Sequence, residues 1–252
     1  MKTAVVQFMP VFGDVAGNLR RLSALVKTAA RNGAKLIVCP ELALSGYSFL
    51  SAAAARACSE CLADFDPSVD DRTTSMGCFY RIAKDHGAYI VWGLIELSGS
   101  GRLFNSQVLM CPDGAFESYA KVNLYSADFI WATPGRSSPP VRRIDVDGES
   151  KRVGLLICRD VRDKSDTMKS FYEPGDADVV CFSAAWGRGA FPGTAWMEFA
   201  ADNKVTLAVS NRYGVEVPND FGWGGVCIIR PDQTVLCDGL VWERDCIVYG
   251  DV

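Results

Sequence analysis

Three residues with the means to do chemistry together stand directly after apolar, strand-like runs. Leu36-Ile37-Val38-Cys39 leads into Pro40-Glu41, the run 115–120 into Lys121, and the run 153–157 into Cys158. In stacked and open α/β sheets ligands bind beyond the carboxyl ends of strands, so a carboxylate, an ammonium and a thiol there can converge on one substrate atom. Together they supply what acyl transfer needs: Cys158 as nucleophile, Glu41 as the base that takes the thiol proton and returns it to a leaving amine, and Lys121 as a cation beside the developing oxyanion. Each has a plain structural reading when taken alone. Cys158 is then a buried small hydrophobe among ten cysteines, Glu41 the start of a helix or loop, and Lys121 a charge at a strand end.

The rest of the composition narrows the field. The 252 residues contain one histidine, His86, so a Ser/His/Asp or Cys/His set would have to use it, and a His-rich metal site is excluded. The Glu/Lys/Cys set needs no histidine. Dinucleotide, P-loop and G-x-S-x-G signatures are absent, and neither a cofactor nor a metal is called for. Cys58-Ser59-Glu60-Cys61 is a lone C-x-x-C without a second ligand pair; packing is its first reading, a redox or zinc role the competing one. With 26 Lys+Arg against 30 Asp+Glu and no basic cluster, no face is suited to neutralise the phosphates of nucleic acid or of an anionic membrane. The N-terminal apolar run is too short for a signal peptide, and no stretch approaches the ~20 apolar residues of a membrane helix. Cysteines set inside apolar runs, such as Cys39 and Cys181, read as buried reduced thiols, which points to a cytoplasmic protein.

The elements that must position these groups follow from periodicity. Strands are predicted at 2–9, 36–39, 89–95, 105–111 and 115–121, with helices at 18–30, stopped by Asn32-Gly33, and at 76–84, stopped at His86-Gly87. The second half repeats the plan, with strands at 153–157, 178–183, 205–210, 225–230 and 234–237 and a helix near 194–203. Pro112-Asp113-Gly114 and Pro231-Asp232 mark a turn at the corresponding point of each half. An internal pseudo-two-fold repeat of this kind predicts two similar sheets face to face with helices outside, a four-layer αββα sandwich of the α/β class. Segment 134–151 reads as the linker between halves, too short to separate independent units, so residues 1–252 are read as a single domain.

With these residues in place, the chain resembles the nitrilase, or carbon-nitrogen hydrolase, superfamily from end to end. Ala4-Val5-Val6-Gln7 with Gly13-Asp14 and Asn18-Leu19 is similar to the family's opening strand and helix, and residues 33–47, through Pro40-Glu41 to Gly46-Tyr47, to the segment carrying its glutamate. Leu103-Phe104-Asn105-Ser106, Pro112-Asp113-Gly114 and Tyr119-Ala120-Lys121-Val122-Asn123-Leu124 resemble the lysine segment. Gly154-Leu155-Leu156-Ile157-Cys158-Arg159-Asp160-Val161-Arg162 matches the nucleophile segment, and Ser210-Asn211-Arg212-Tyr213-Gly214 the late strand-end motif.

The resemblance implies a Glu41-Lys121-Cys158 triad, attack of the Cys158 thiolate on an amide or nitrile carbon, an oxyanion met by Lys121 and the Arg159 N–H, and a homodimer of eight layers or a higher homo-oligomer. Lys121 is expected to stabilise the thiolate. Two departures stand out. Where many members carry a second glutamate after the lysine, Asp128 is the only acid in Tyr125–Trp131, either a shorter substitute or a sign that the position is vacant. After Arg162 comes Asp163-Lys164-Ser165 in place of an aromatic-Pro-Glu run. Tyr47 and Trp186 sit where the family lines its pocket, with core packing as the equal alternative. Arg159 and Arg162 present planar forks suited to a substrate carboxylate, against a structural pairing of Arg162 with Asp160 or another acid. The leading expectation is a cysteine-dependent amidase acting on a small linear amide or carbamoyl compound, some of whose substrates carry an acid. The rivals are nitrile hydrolysis by the same triad and a catalytically impaired member serving as a binding protein. His86 is left without a catalytic assignment.

Overall fold

The computed structural model describes residues 1–162, 176–187, 189, 191–222, 224–239 and 243–252. Its first sheet is built from β1 (Lys2–Gln7), β2 (Leu36–Val38), β3 (Tyr89–Leu97), β4 (Leu103–Met110) and β5 (Phe116–Ala120). The second begins with β6 (Val141–Val146), β7 (Glu149–Ile157), β8 (Val179–Ala184) and β9 (Thr206–Asn211). A small hairpin of β10 (Val215–Glu216) and β11 (Asn219–Asp220) precedes β12 (Val226–Ile229) and β13 (Val235–Gly239), which complete the second sheet, while β14 (Cys246–Asp251) returns to the first.

The two sheets have strand orders β14-β1-β2-β3-β4-β5 and β6-β7-β8-β9-β12-β13. Read in those orders, both show the same pairing: antiparallel, parallel, parallel, antiparallel, antiparallel. This is the pseudo-repeat expected from the two Pro-Asp turns, which close the β4–β5 and β12–β13 hairpins.

Side-chain alternation sorts the layers. Val5, Leu36, Val38, Val91, Leu155 and Ile157 fill the space between the sheets. Their neighbours Ala4, Val6, Ile37, Ile90 and Trp92 face outward onto α1 (Val15–Arg31) and α3 (Ser75–His86). Leu156, Val180, Phe182 and Leu207 face outward toward α5 (Thr194–Asn203). Helix α1 starts earlier than its periodicity indicates because the Asp14 carboxylate accepts the Gly17 N–H and caps it. Helix α3 ends at Gly87, whose φ of 57° is the left-handed stop. Two short helices, α2 (Ala52–Arg56) and α4 (Asp128–Trp131), carry too few residues to show a period.

One expectation is corrected. Much of 134–151 is not linker but β6 and the start of β7, joined through Asp147-Gly148 with both φ values positive. The Asp-Gly pair selects a two-residue hairpin, and the burial of Ile144 and Val146 shows the alternation hidden among Arg and Asp. Among the described residues no helix is long and apolar enough to cross a membrane.

Candidate active site

The carboxyl ends of β2, β5 and β7 meet at one end of the sandwich. The chain leaves β2 through Cys39-Pro40 to Glu41, pinned on β3 by Cys39 N–H to Val91 O at 2.7 Å, Gly93 N–H to Pro40 O at 3.1 Å and Ala43 N–H to Gly93 O at 3.1 Å. This close approach requires glycine at 93, since a Cβ there would lie 2.8 Å from the Glu41 Cα. Lys121 follows β5, and its N–H is held by Asn105 O at 2.8 Å. Cys158 directly follows β7, opens a 3-10 turn over Cys158–Arg162, and takes φ 41°. A positive φ on a non-glycine residue is a strained turn that persists only where its surroundings fix it.

Lys121 is the hub. Its Nζ donates to Glu41 Oε1 and to Asp128 Oδ2, each at 2.6 Å, with all three side chains inaccessible to solvent. Asn105 Nδ2 bridges the same two carboxylates at 2.8 and 3.1 Å, and the Tyr125 N–H adds a third bond to Asp128. Asp128, carried on α4, is thereby brought against Lys121 beside Glu41. Burial acts against the Lys121 ammonium, but Glu41 and Asp128 outweigh it and hold its pKa well above the ordinary lysine value.

Cys158 is buried. Burial raises its thiol pKa, and Glu41 raises it further both by charge and by hydrogen bonding; Lys121 and the Ala185 N–H pull the other way and lose. Lys121 thus acts on the thiol in the direction the sequence reading assigned to it, while burial and the neighbouring Glu41 carboxylate act against it. Glu41 is aimed by the Ala185 N–H, which donates to its Oε2 at 2.9 Å.

A cavity of about 170 Å³ opens over Cys158, lined by Tyr125, Arg159, Arg162, Ala185, Trp186 and Gly187. Arg159 and Arg162 are exposed and lie over aromatic rings, Arg159 at 5.3 Å from the Tyr125 centroid and Arg162 at 4.4 Å from that of Trp186. Asp160 does not pair with Arg162. Its carboxylate accepts the Tyr119 hydroxyl at 2.7 Å and both the backbone and side-chain N–H of Asn123, tying the cysteine turn to the lysine segment. Burial pushes the Asp160 carboxyl up to about 6 against these bonds.

Trp186 lines the cavity, and its backbone N–H donates to Asn211 Oδ1 at 2.9 Å. Tyr47 does not line it: buried behind Lys121, it donates its hydroxyl to Tyr125 O at 2.5 Å and presents its ring 5.7 Å from the ammonium. Asp163, Lys164 and Ser165 lie outside the described residues. Cys58 and Cys61 are free thiols away from this cavity, and His86 is the last residue of α3. Asn105, Tyr125 and the Ala185 N–H carried no role in the sequence reading. Only Asn105 left a signal there, a polar residue on the inward face of an apolar strand.

Comparison with known proteins agrees with this architecture. A nitrilase from Pyrococcus abyssi is 31% identical over 94% of the chain and 84% of its own length. An omega-amidase from Danio rerio is 26% identical over the whole chain and 87% of its own length. A cysteine-to-serine variant of the amidase from Nesterenkonia sp. AN1, of the nitrilase superfamily, superposes with a TM-score of 0.79 at 25% identity, covering 100% of this chain and 91% of that one. The family model described as carbon-nitrogen hydrolase matches residues 2–252, and the chain belongs to that family.

Proposed function

We propose that the protein is an amidase that hydrolyses a small linear amide to a carboxylate and ammonia through a thioester on Cys158. The observation that carries this reading is that the Cys158 thiol lines one cavity and interacts with Glu41, whose carboxylate is bonded at 2.6 Å to a fully buried Lys121. In the first half, Glu41 removes the thiol proton as sulfur attacks the carbonyl carbon, and the Lys121 ammonium and Arg159 N–H stabilise the oxyanion. The C–N bond breaks as Glu41 returns that proton to the leaving nitrogen, releasing ammonia. In the second half Glu41 deprotonates water, the hydroxide adds to the thioester, and the sulfur leaves and takes back the proton. Such a base contributes about 10²–10⁴-fold, and an oxyanion donor about 10²–10³-fold.

The cavity has room for an acyl group of a few carbons, and the two exposed guanidinium groups at its mouth favour a chain ending in a carboxylate. The omega-amidase and amidase relatives weigh for an amide over a nitrile. A cytoplasmic homodimer completes the reading, tested by sedimentation and by fractionation of the source cells. The decisive experiment incubates the protein with short neutral amides, monoamides of short dicarboxylic acids, and the matching nitriles. Ammonia from the amides, together with an acyl adduct on Cys158 seen by mass and lost in Cys158→Ala, is the expected result. No ammonia from any amide while Cys158 stays reduced overturns it.

A further inference from the structure

Beneath the site a line of buried polar groups crosses between the sheets. Gln107, on the inward face of β4 two residues after Asn105, is fully buried. Its Oε1 accepts the Leu156 N–H of β7 at 2.9 Å, and its Nε2 donates to Cys181 O at 3.0 Å and to Ser183 Oγ at 2.7 Å on β8. Ser183 Oγ in turn donates to Cys39 O at 2.7 Å. Leu156 stands two residues before Cys158, and Cys39 two residues before Glu41. The line therefore runs from the nucleophile strand of one sheet to the glutamate strand of the other.

Its origin lies in the strand register. Strand β6 pairs with β7 only as far as Val141 opposite Gly154, so the Leu156 N–H lies beyond the end of that edge strand. A buried backbone N–H needs an acceptor, and here it comes from the opposite sheet. Much of the remaining contact between the sheets is made by side chains such as Val38, Val91 and Ile157, which fill space without fixing an in-plane offset. Directional bonds do fix it, and a closed chain of them resists sliding at either end.

We propose that Gln107 and Ser183 are positioning residues that set the separation and angle between the Cys158 thiol and Glu41. The proposal rests on the amidase reading for its kinetic arm but not for its chemical one. Neither residue touches substrate; both act through the strands that carry the reacting groups. Displacement of reacting groups by about 1 Å costs on the order of 10²-fold, so small relaxation at either strand end is enough.

The test uses Gln107→Met, which keeps the side-chain length, and Ser183→Ala, which removes only the bond to Cys39 and the acceptor for Gln107. Ser210→Ala is the matched control, because Ser210 Oγ also joins the two sheets, by donating to Val6 O, but on strands that carry none of the three reacting groups. Two readouts are taken well below each melting temperature: amide kcat per titrated cysteine, and the rate at which iodoacetamide alkylates Cys158, followed by peptide mass. Both rates are expected to fall at least about tenfold in Gln107→Met and Ser183→Ala, with KM changed less than about threefold. Alkylation of Cys58 and Cys246 stays constant, and Ser210→Ala loses melting temperature alone. The proposal is overturned if both rates at Cys158 survive within about threefold in the two variants, or if Ser210→Ala loses them equally. A wild-type protein that releases no ammonia overturns the amidase reading instead, and the alkylation rates still decide this one.

Discussion

Lys121 and Asp128 meet at 2.6 Å with neither side chain exposed, and this pair completes a three-charge cluster in which one ammonium serves two carboxylates. A single ammonium faces both carboxyl groups, so nothing replaces it when it is lost, whereas each carboxyl group also has Asn105 Nδ2 as a hydrogen-bonding neighbour. Lys121→Met leaves two buried carboxylates facing each other and is expected to cost about 3–5 kcal/mol in urea unfolding, or to prevent folding. Asp128→Asn keeps the shape and the Lys121–Glu41 bond. It is expected to fold, with kcat for amide hydrolysis lowered about 10- to 100-fold, because the cation proposed to meet the oxyanion loses one of its two anchors. An Asp128→Asn enzyme with wild-type kcat would show that Asp128 only stabilises.

Gly93 and Glu41 give the second prediction. A Cβ at position 93 would meet Leu42 N at 2.5 Å and Pro40 O at 2.8 Å, all backbone, and no side-chain rotation can relieve it. Gly93→Ala therefore pushes the Glu41 arm off β3. The expected outcome is a loss of about 1–3 kcal/mol in stability and of about 10²-fold in kcat. Gly99→Ala, where the added Cβ meets nothing within 4 Å, is the control.

What was legible in the sequence follows from what is local. Glu41, Lys121 and Cys158 stand directly after apolar strands, and the two Pro-Asp turns mark hairpins, so the grouping of these three residues and the pseudo-repeat are visible in short windows. Asp128 is different, because its role depends on a four-residue helix folding back onto Lys121, and four residues have no period. β6 was hidden because Arg142, Arg143 and Asp145 mask its alternation. β14 reaches the first sheet by pairing with β1, Lys2 opposite Asp251, a contact no local window contains. Gln107 and Arg212 are single polar residues beside apolar runs, and their targets lie on other elements.

The pH behaviour of two groups is opposite in kind. The Cys158 thiol is lifted well above the ordinary range by burial and by Glu41, so its direct alkylation by iodoacetamide should rise with pH without reaching a plateau by about pH 9. A plateau near neutrality would mean a preformed thiolate. Asp160 concerns stability instead. Its folded pKa of about 6 lies above the ordinary aspartate value, so between about pH 4 and 6 the native state holds a proton that the unfolded chain has released. Stability from this group is thus present below about pH 4 and lost as pH rises through about 6, by roughly 3 kcal/mol at most. Asp160→Asn removes that slope. The unfolding free energy of the variant relative to wild type is expected to improve from pH 4 to pH 7, and a constant difference would contradict the assignment.

Arg162 lies across Trp186 at the cavity mouth, exposed and with no ion pair among the described residues. If it reads a substrate carboxylate, Arg162→Met should lower kcat/KM for monoamides of dicarboxylic acids by about 10- to 100-fold, the worth of one charged hydrogen bond, and leave neutral amides nearly unchanged. The effect should shrink in high salt because the guanidinium faces solvent. Equal losses on both substrate kinds would assign Arg162 to the cavity wall.

Arg212 and Glu216 form a buried ion pair at 2.9 Å behind Tyr47, with the guanidinium 4.0 Å from the Phe221 ring. Glu216 Oε1 also accepts the N–H groups of Tyr47 and Ser48, at 2.7 and 2.6 Å, so the pair anchors the segment that backs Lys121. Arg212→Met strands a buried carboxylate and should cost about 3–5 kcal/mol, whereas Glu216→Gln retains an amide oxygen for both N–H groups and should cost less. In the double variant no unpaired charge is left, so its loss should fall short of the sum of the singles by about 1 kcal/mol or more. Urea unfolding of all four proteins measures this coupling. Additive losses would mean that the two charges act separately, and that Tyr47 is held by backbone packing rather than by the pair.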